Sequence, residues 1–585
     1  GAWIAEESLD WRTLPARVEA VIEERLGRLN EEQRDLLTVA SVEGETFTAQ
    51  VVATIQEINE RTVLRTLSQE LDKQHRLVRE QGEISADGRY LTRFAFSHAL
   101  FREHLYQEMS QGERRLLHGE VAETLENLYG EDNEPLVPQL AHHFDHAGRL
   151  EKAIEYTVRA GDLARKTYAN DQAERHYERA LTLLGTVTPS ETTEQWHLVA
   201  LSGLGKLHHN TGGSMPEAVR YLREAIALGK QLALDPQEMA ILYHWLGEAL
   251  YWQDKYEERL HIGKEGLSLI GDDTESLGAA LMNQLIALGS ICLGSESDWV
   301  AFTSRTAEFI ESLAYTEELT PAFAHIVIQN LWDHNVEGVQ YWINALEARA
   351  SKHGDLAAMT TVYGYADNLS RGIGDVAQAF RQAERELNVS RRIGDIKHES
   401  RAYGRLCNCS LHSGQCQQAM QFAQRYLTLA KSVGYIVDIA DAYHFITRNA
   451  LCLGDWQEAL DAARKGKHFC EASEHLWGPA RSSYLLGQTC LSVGDTPSAT
   501  RYFEEALSSQ GNMDVDWRGG DRVLIPRLAA LESVVNDPEA FRSWMTDYRD
   551  QYPHMDNLLD QWMLYPAQAL VIDSQPLVID ALETL

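Results

Sequence analysis

The chain contains no run of 18 consecutive apolar residues, the length a helix needs to cross a bilayer, so no membrane-spanning segment is expected. Its opening, Gly1 to Asp10, lacks the basic and apolar regions of a secretion signal. Cysteine is scarce, seven in 585 residues; the odd number and absence of framework spacing argue for a reducing compartment and against a disulfide scaffold. Basic residues are in deficit, 53 against 87 acidic ones, so the surface is anionic and repels nucleic acid overall. Catalytic signatures are missing too: there is no G-x-S-x-G elbow, no H-E-x-x-H and no kinase set. The sequence reads as a soluble cytoplasmic protein with no catalytic residues and no enzyme activity of its own, binding neither nucleic acid nor membrane. A first residue of glycine, not methionine, fits a piece of a longer protein.

What is present is a repeat. Gly374, Gly414, Gly454 and Gly494 recur every 40 residues, each followed five positions later by alanine: Ala379, Ala419, Ala459 and Ala499. Glycine turns the chain left-handed at a helix end without a Cβ clash. Asp375, Asp455 and Asp495 then stand where a carboxylate caps the next helix. The alanine lets two backbones approach, beside Phe380, Met420 and Leu460; Thr500 breaks that last series. Such a hairpin resembles the tetratricopeptide repeat, fitted best by Leu486, Gly487, Gly494, Ala499, Phe503 and Ala506. Looser copies appear at Gly148, Ala153, Ala160; at Ala173, Tyr177, Ala180; and at Gly213, Ala218, Leu222, Ala225. Between 240 and 370 the register fades, with Arg259 where alanine belongs. A 40-residue period leaves HEAT-type repeats as the structural alternative. The predicted fold class is all-α: a tetratricopeptide-like α-solenoid over 131–510, preceded by a small winged-helix domain with connecting helices over 1–130 and closed by a helical cap over 511–585.

The winged-helix expectation comes from the first 130 residues. Val18, Val21, Ile22, Leu26 and Leu29 recur at helical spacing after Leu14-Pro15, a second helix carries Leu36, Leu37, Val39 and Ala40 up to Gly44, and two more cover Ala49 to Ile58 and Thr62 to Gln74. Leu77-Val78 and Tyr90 to Phe96 then read as two strands joined through Asp87-Gly88. Residues 1–130 hold 24 Asp and Glu against 15 Lys and Arg, the wrong sign for phosphate contact, which favours a packing module over a DNA reader.

The run Leu14-Pro15, Arg25-Leu26, Leu29, Gly44 and Phe47, then Phe94-Ala95-Phe96-Ser97-His98-Ala99-Leu100, Tyr106, Arg114 and His118, resembles the winged-helix region of bacterial STAND NTPases. These are signal-transduction ATPases with numerous domains, similar in plan to the activator of the maltose regulon. Leu140-Ala141-His142-His143, Ala147-Gly148, Ala153, Tyr156, Ala160 and Gly161 continue the likeness. In that family an ATPase core precedes the winged helix, and superhelical repeats act as sensor. No G-x-x-x-x-G-K-[ST] occurs here, so ADP or ATP is expected only with an upstream NTPase domain. The resemblance implies that His98 touches the ADP phosphate, although Ala99 replaces the acid of the family's Met-His-Asp motif; a capping or core histidine is the plain alternative. The implied partners are the chain's own NTPase domain and a protein, peptide or small-molecule inducer, with oligomerisation on activation. A constitutive scaffold without nucleotide coupling is the rival reading.

Two further constellations bear on binding. Six residues before the turn glycines stand Asn368, Asn408, Arg448 and Gln488, and thirteen before stand Thr361, Arg401, Asp441 and Arg481. In tetratricopeptide proteins these positions line the concave groove, where polar side chains clamp an extended peptide; Tyr443, His444, Trp477 and Tyr484 lie near them. A solvated helix face is the bland reading of the same residues. His142, His143 and His146 include an i, i+4 pair on one helix face, but no nearby cysteine or carboxylate-rich segment completes a tetrahedral set, so no metal is expected. Cys407, Cys409 and Cys416 lack zinc-knuckle spacing and read as core cysteines. Asp537-Pro538, with Trp544 and Tyr548, suggests one helix of the cap.

Overall fold

The structure is a computed structural model and describes residues 16–86, 88–130, 133–333, 335–472 and 478–508. Leu14, Pro15, Asp87, Trp477 and the cap expected over 511–585 lie outside these. The chain forms two compact units: residues 16–167 with 171–200, and residues 168–170 with 201–508.

The first unit opens with α1 (Ala16–Leu26), α2 (Glu31–Glu43), β1 (Thr46–Thr48), α3 (Ala49–Ile55) and α4 (Glu60–Arg65), which widens into a π-helical stretch, Thr66–Gln74. β2 (Val78–Ala86) and β3 (Arg89–Phe96) follow as an antiparallel pair, turning at Gly88 with φ +71°. The hairpin is where the alternating pattern predicts it. β1 is not foreseen, because three residues are too few to show a period; it pairs with β3, setting Phe47 opposite Phe94 in a sheet ordered β1-β3-β2. Phe47, Phe94 and Phe96 are buried together with Leu26, Leu37, Val63, Leu67 and Leu105, closing a core between sheet and helices. α5 (Ala99–Glu108), α6 (Gln111–Tyr129), α7 (Val137–Ala147) and α8 (Leu150–Lys166) complete the unit with most of α9 (Asn170–Leu184) and the start of α10 (Glu191–Thr211). Val121, Leu125, Leu140, Phe144 and Tyr156 form a second core across α6, α7 and α8.

The second unit is a succession of helix pairs: α11 (Met215–Gln231), then α12 (Pro236–Tyr251) with α13 (Tyr256–Ile270), α14 (Leu277–Cys292) with α15 (Glu296–Phe309), and α16 (Thr320–Trp332) with α17 (Val336–His353). α18 (Leu356–Gly372) pairs with α19 (Val376–Ile393), α20 (Ile396–His412) with α21 (Cys416–Val433), α22 (Ile436–Leu453) with α23 (Trp456–Ala472), and α24 (Gly478–Ser492) with α25 (Thr496–Ser508). This is a tetratricopeptide-like solenoid, and the faded stretch from 240 to 370 continues it. Among the described residues no helix is long and apolar enough to cross a membrane.

Local chemistry accounts for the pairs. Gly374, Gly414, Gly454 and Gly494 have φ between +69° and +83°. Asp375, Asp455 and Asp495 accept from the backbone N–H of Gln378, Glu458 and Ser498 at 2.8, 3.1 and 3.2 Å. Ala379, Ala419, Ala459 and Ala499 are buried at the helix seams. A second series, Gly354, Gly394 and Gly434, caps the ends of α17, α19 and α21 with φ +67°, +72° and +81°. Glycine thus marks both turns of the repeat.

One cysteine expectation is corrected. Cys416, at the start of α21, is disulfide-bonded to Cys452, near the end of α22, 36 residues on. Nearly one repeat separates them, and stacking of consecutive pairs brings positions about one repeat apart side by side. Cys407 and Cys409 are buried thiols, as predicted.

Candidate functional site

The equal spacing of the polar ladder places its members on successive first helices of the pairs: Asn368 on α18, Arg401 and Asn408 on α20, Asp441 and Arg448 on α22, Gln488 on α24. All six are partly exposed. Arg481 lies on α24, and its side chain is outside the described ones.

The buried floor beneath the ladder is ionic. Asp367 is fully buried on α18, with Arg371 at 2.9 Å and Arg405 at 3.8 Å. Arg405 also grips both oxygens of the buried Glu386 at 2.7 and 2.8 Å. Burial pushes the Glu386 carboxyl up to about 7, against the pull of Arg405. Arg371 donates to Asn368 Oδ1, holding the first rung. The Cys409 thiol donates to Asp367 at 3.6 Å, and burial pushes the Cys407 and Cys409 thiols up to about 12. Thiols held protonated this way are not nucleophiles. Burial lowers the imidazole of His412, which bonds the Asn408 carbonyl at 2.7 Å.

Asn408 stands out on this face. Its side-chain amide oxygen is buried and has no hydrogen-bond partner among the described residues. A buried acceptor without a donor costs roughly 1–3 kcal/mol, so a ligand N–H reaching it recovers that cost. Gln488, two rungs away, donates to Tyr484 at 2.7 Å.

Other ladder assignments change on folding. Arg401 pairs with Asp438 at 3.1 Å and sets its guanidinium 4.3 Å from the ring centre of Trp252 and 5.8 Å from that of Tyr435. It holds successive turns of the coil together. Tyr443, His444 and Tyr484 are buried core residues, not aromatics beside an open groove: Tyr443 stacks on Phe469, His444 bonds Ser482 at 2.8 Å, and Tyr484 packs on Phe503. In a helix one step of 100° separates an exposed rung from a buried one, which spacing along a single helix does not resolve.

Two more polar sets were legible only in part: the sequence marks Arg259 as a break in the repeat and groups His142, His143 and His146, but not their partners. Arg259, at the missing alanine position, is fully buried and donates to Gly247 O at 2.7 Å and Glu248 at 2.8 Å, while Gln284 reaches the same carboxylate at 2.8 Å. Its one signal was that break in the repeat. In the first unit, His118 on α6 joins His142, His143 and His146 on α7, its ring centre 5.6, 5.1 and 4.9 Å from theirs. His98 is the N-cap of α5; its Nδ1 accepts from Leu100 N at 3.2 Å and the side chain is exposed.

No family model matches the chain. A 228-residue stretch, 39% of this chain and 22% of the relative, is 26% identical to an uncharacterized protein of Rhizobium meliloti (strain 1021). The match thus spans about a fifth of that curated relative's length. Solved structures similar to the chain include a Rap protein complexed with competence and sporulation factor (12% identity, 62% of this chain and 98% of that one, TM-score 0.44). Others are a STAND protein with a tetratricopeptide repeat sensor from Pyrococcus horikoshii (14%, 97% and 69%, 0.31) and the APC/C hetero-tetramer Cut9–Hcn1 (12%, 83% and 95%, 0.41). Scores this low carry no argument about function; the repeat architecture rests on the helix pairs themselves.

Proposed function

We propose that the chain is the regulatory region of a STAND-type signal-transduction ATPase. Its second unit binds an extended peptide or protein segment along the face of α18, α20, α22 and α24. The carrying observation is the buried amide oxygen of Asn408, without a hydrogen-bond partner among the described residues, at the middle of an equally spaced polar ladder. An extended backbone presents N–H and C=O groups at regular intervals, which such a ladder matches. Binding shifts the intact protein between closed and open states only as far as the ligand's affinity differs between them.

In this reading the sheet and helices of residues 16–96 serve as a winged-helix module against an NTPase core elsewhere in the intact protein, with His98 toward the ADP phosphate. The order helix, helix, short strand, two helices, hairpin supports that assignment. So does a histidine whose Nε2 bonds nothing among the described residues. Replacing His98 by alanine in the intact protein is expected to raise basal signalling; unchanged signalling removes the nucleotide role.

The binding claim is tested by panning the full chain against displayed random peptides and measuring the recovered sequences by fluorescence polarisation. Asn408→Ala and Arg448→Ala are expected to weaken binding at least about tenfold, whereas Arg220→Ala on α11 leaves it unchanged. Equal affinity in all variants overturns the reading. One observation favours the scaffold alternative: contacts such as Tyr256 OH to Tyr435 OH at 3.2 Å lock successive turns of the coil. Binding that is indifferent to ATP in the intact protein would select it.

A further inference from the structure

The four histidines on α6 and α7 lie outside the face described above and call for an explanation of their own. His118 and His143 are buried, while His142 and His146 are exposed at the edge of the same cluster. Isolated buried imidazoles are common, but three whose ring nitrogens converge are not required by helix packing. One nitrogen from each of His118, His142 and His143 lies within 4.8 Å of the others. The His118 and His143 Nδ1 atoms are 2.8 Å apart, so one of them carries a proton and the other a lone pair.

We propose that His118, His142 and His143 form a binding site for a divalent transition-metal ion of the zinc class, clamping α6 to α7. Three neutral imidazoles suit zinc, copper, nickel, cobalt or ferrous ions and do not suit calcium or magnesium, which take oxygen donors. A zinc–nitrogen bond of about 2.0–2.1 Å puts tetrahedral ligand nitrogens about 3.3 Å apart, so the His118–His143 pair opens by roughly half an ångström to admit the ion.

The surroundings orient the rings as a metal site requires. Tyr106 OH lies 2.8 Å from His118 Nε2 and can accept its proton, which leaves Nδ1 with its lone pair toward His143. His146 Nδ1 is bonded to the carbonyl of His142 at 2.8 Å, which sets that ring at the edge of the three converging nitrogens and leaves the fourth position to water. Arg102 and Arg114 flank Tyr106, and the nearby Asp145 is taken up by Arg179 at 2.7 and 2.8 Å. Asp145, shared with Arg179, therefore offsets only part of the charge of the ion, and affinity is expected to be moderate.

The test is calorimetric titration of the chelator-treated full chain with zinc chloride, paired with a thermal melt. One equivalent is expected to bind and to raise the melting temperature. His142→Ala, which alters an exposed side chain and leaves the fold intact by circular dichroism, is expected to weaken that binding at least about tenfold. The double variant His142→Ala/His146→Ala is expected to abolish the zinc-induced rise in melting temperature. His197→Ala, on α10, should change nothing. The proposal is overturned if the unaltered chain takes up no zinc, or if the His142 variants bind and melt as the parent does. In either case the cluster is a hydrogen-bonded packing contact only.

Discussion

Arg259 shows how one side chain can replace the usual repeat chemistry. At the position where alanine lets helices approach, its guanidinium satisfies a backbone carbonyl and a buried carboxylate. Removing one partner strands the other charge. Arg259→Met is therefore expected to lower stability by about 3–5 kcal/mol in urea unfolding, whereas the double variant Arg259→Met/Glu248→Leu loses much less. Equal losses would mean that the pair is not coupled. The buried titrating groups set a pH dependence. Burial holds His209 and His325 at about 3, against 6.5 for a free imidazole. The unfolded chain binds protons that the folded one refuses, so this stability is present above pH 6.5 and is lost as pH falls toward 3. Glu318 acts in the same direction at lower pH. Burial alone would raise its carboxyl, but Lys206 at 2.9 Å carries it from 4.5 down to about 2, and that contribution fades across the same interval. Glu43 and Glu386, raised to about 7 by burial, act in the opposite direction between pH 7 and 4.5, but the buried imidazoles outnumber them, so melting temperature is expected to decline below pH 6.5; a flat profile down to pH 4.5 would contradict these assignments.

At the scale of an element, each helix pair is held by turn chemistry and by close approach. Asp455→Ala removes the bond to Glu458 N and is expected to cost about 1 kcal/mol. Gly414→Ala forces a Cβ into φ +69° and costs about 1–2 kcal/mol, with Gly414→Asn costing less. Gly161→Ala would put a methyl 2.7 Å from the Tyr177 ring, an overpacking worth about 1–3 kcal/mol. Denaturant melts of the four variants check these values. The Cys416–Cys452 link is checked by counting thiols in the denatured chain: five react without reductant, matching the free cysteines, and all seven after reduction. Seven without reductant would refute the bond. These turns and seams were legible beforehand because each depends on residues a few positions apart. β1 was not, since Thr46 to Thr48 become a strand only by pairing with β3.

Across the second unit, residues far apart in sequence meet as the coil returns on itself. Asn170 donates to Ile393 O at 2.8 Å, Leu356 N donates to Tyr168 OH at 3.0 Å, and Lys397 donates to His209 O. Arg401, over Trp252 and beside Tyr435, belongs to this seam. Arg401→Ala is expected to raise hydrogen exchange at the end of α12 and at the start of α22 together, although about 180 residues separate Trp252 from Tyr435. Exchange confined to α20 would show that the seam does not hold. The placement of Asn368, Asn408, Arg448 and Gln488 on successive first helices was readable because they repeat with the turns. That Arg401 serves the seam was not readable, because its partners lie on helices of another turn.

Helix-pair chemistry, the period of the repeat, the hairpin of the first unit and the acidic surface follow from residue type and order, since glycine at positive φ, capping aspartates and alternating apolar residues act over one or two turns of chain. Convergence required the folded chain. His118 meets His143 from 25 residues away, and Lys397 reaches the carbonyl of His209 across 188. Such contacts depend on the angles at which whole helices stack, and those angles are summed over many side chains at each seam and are not written in any single one.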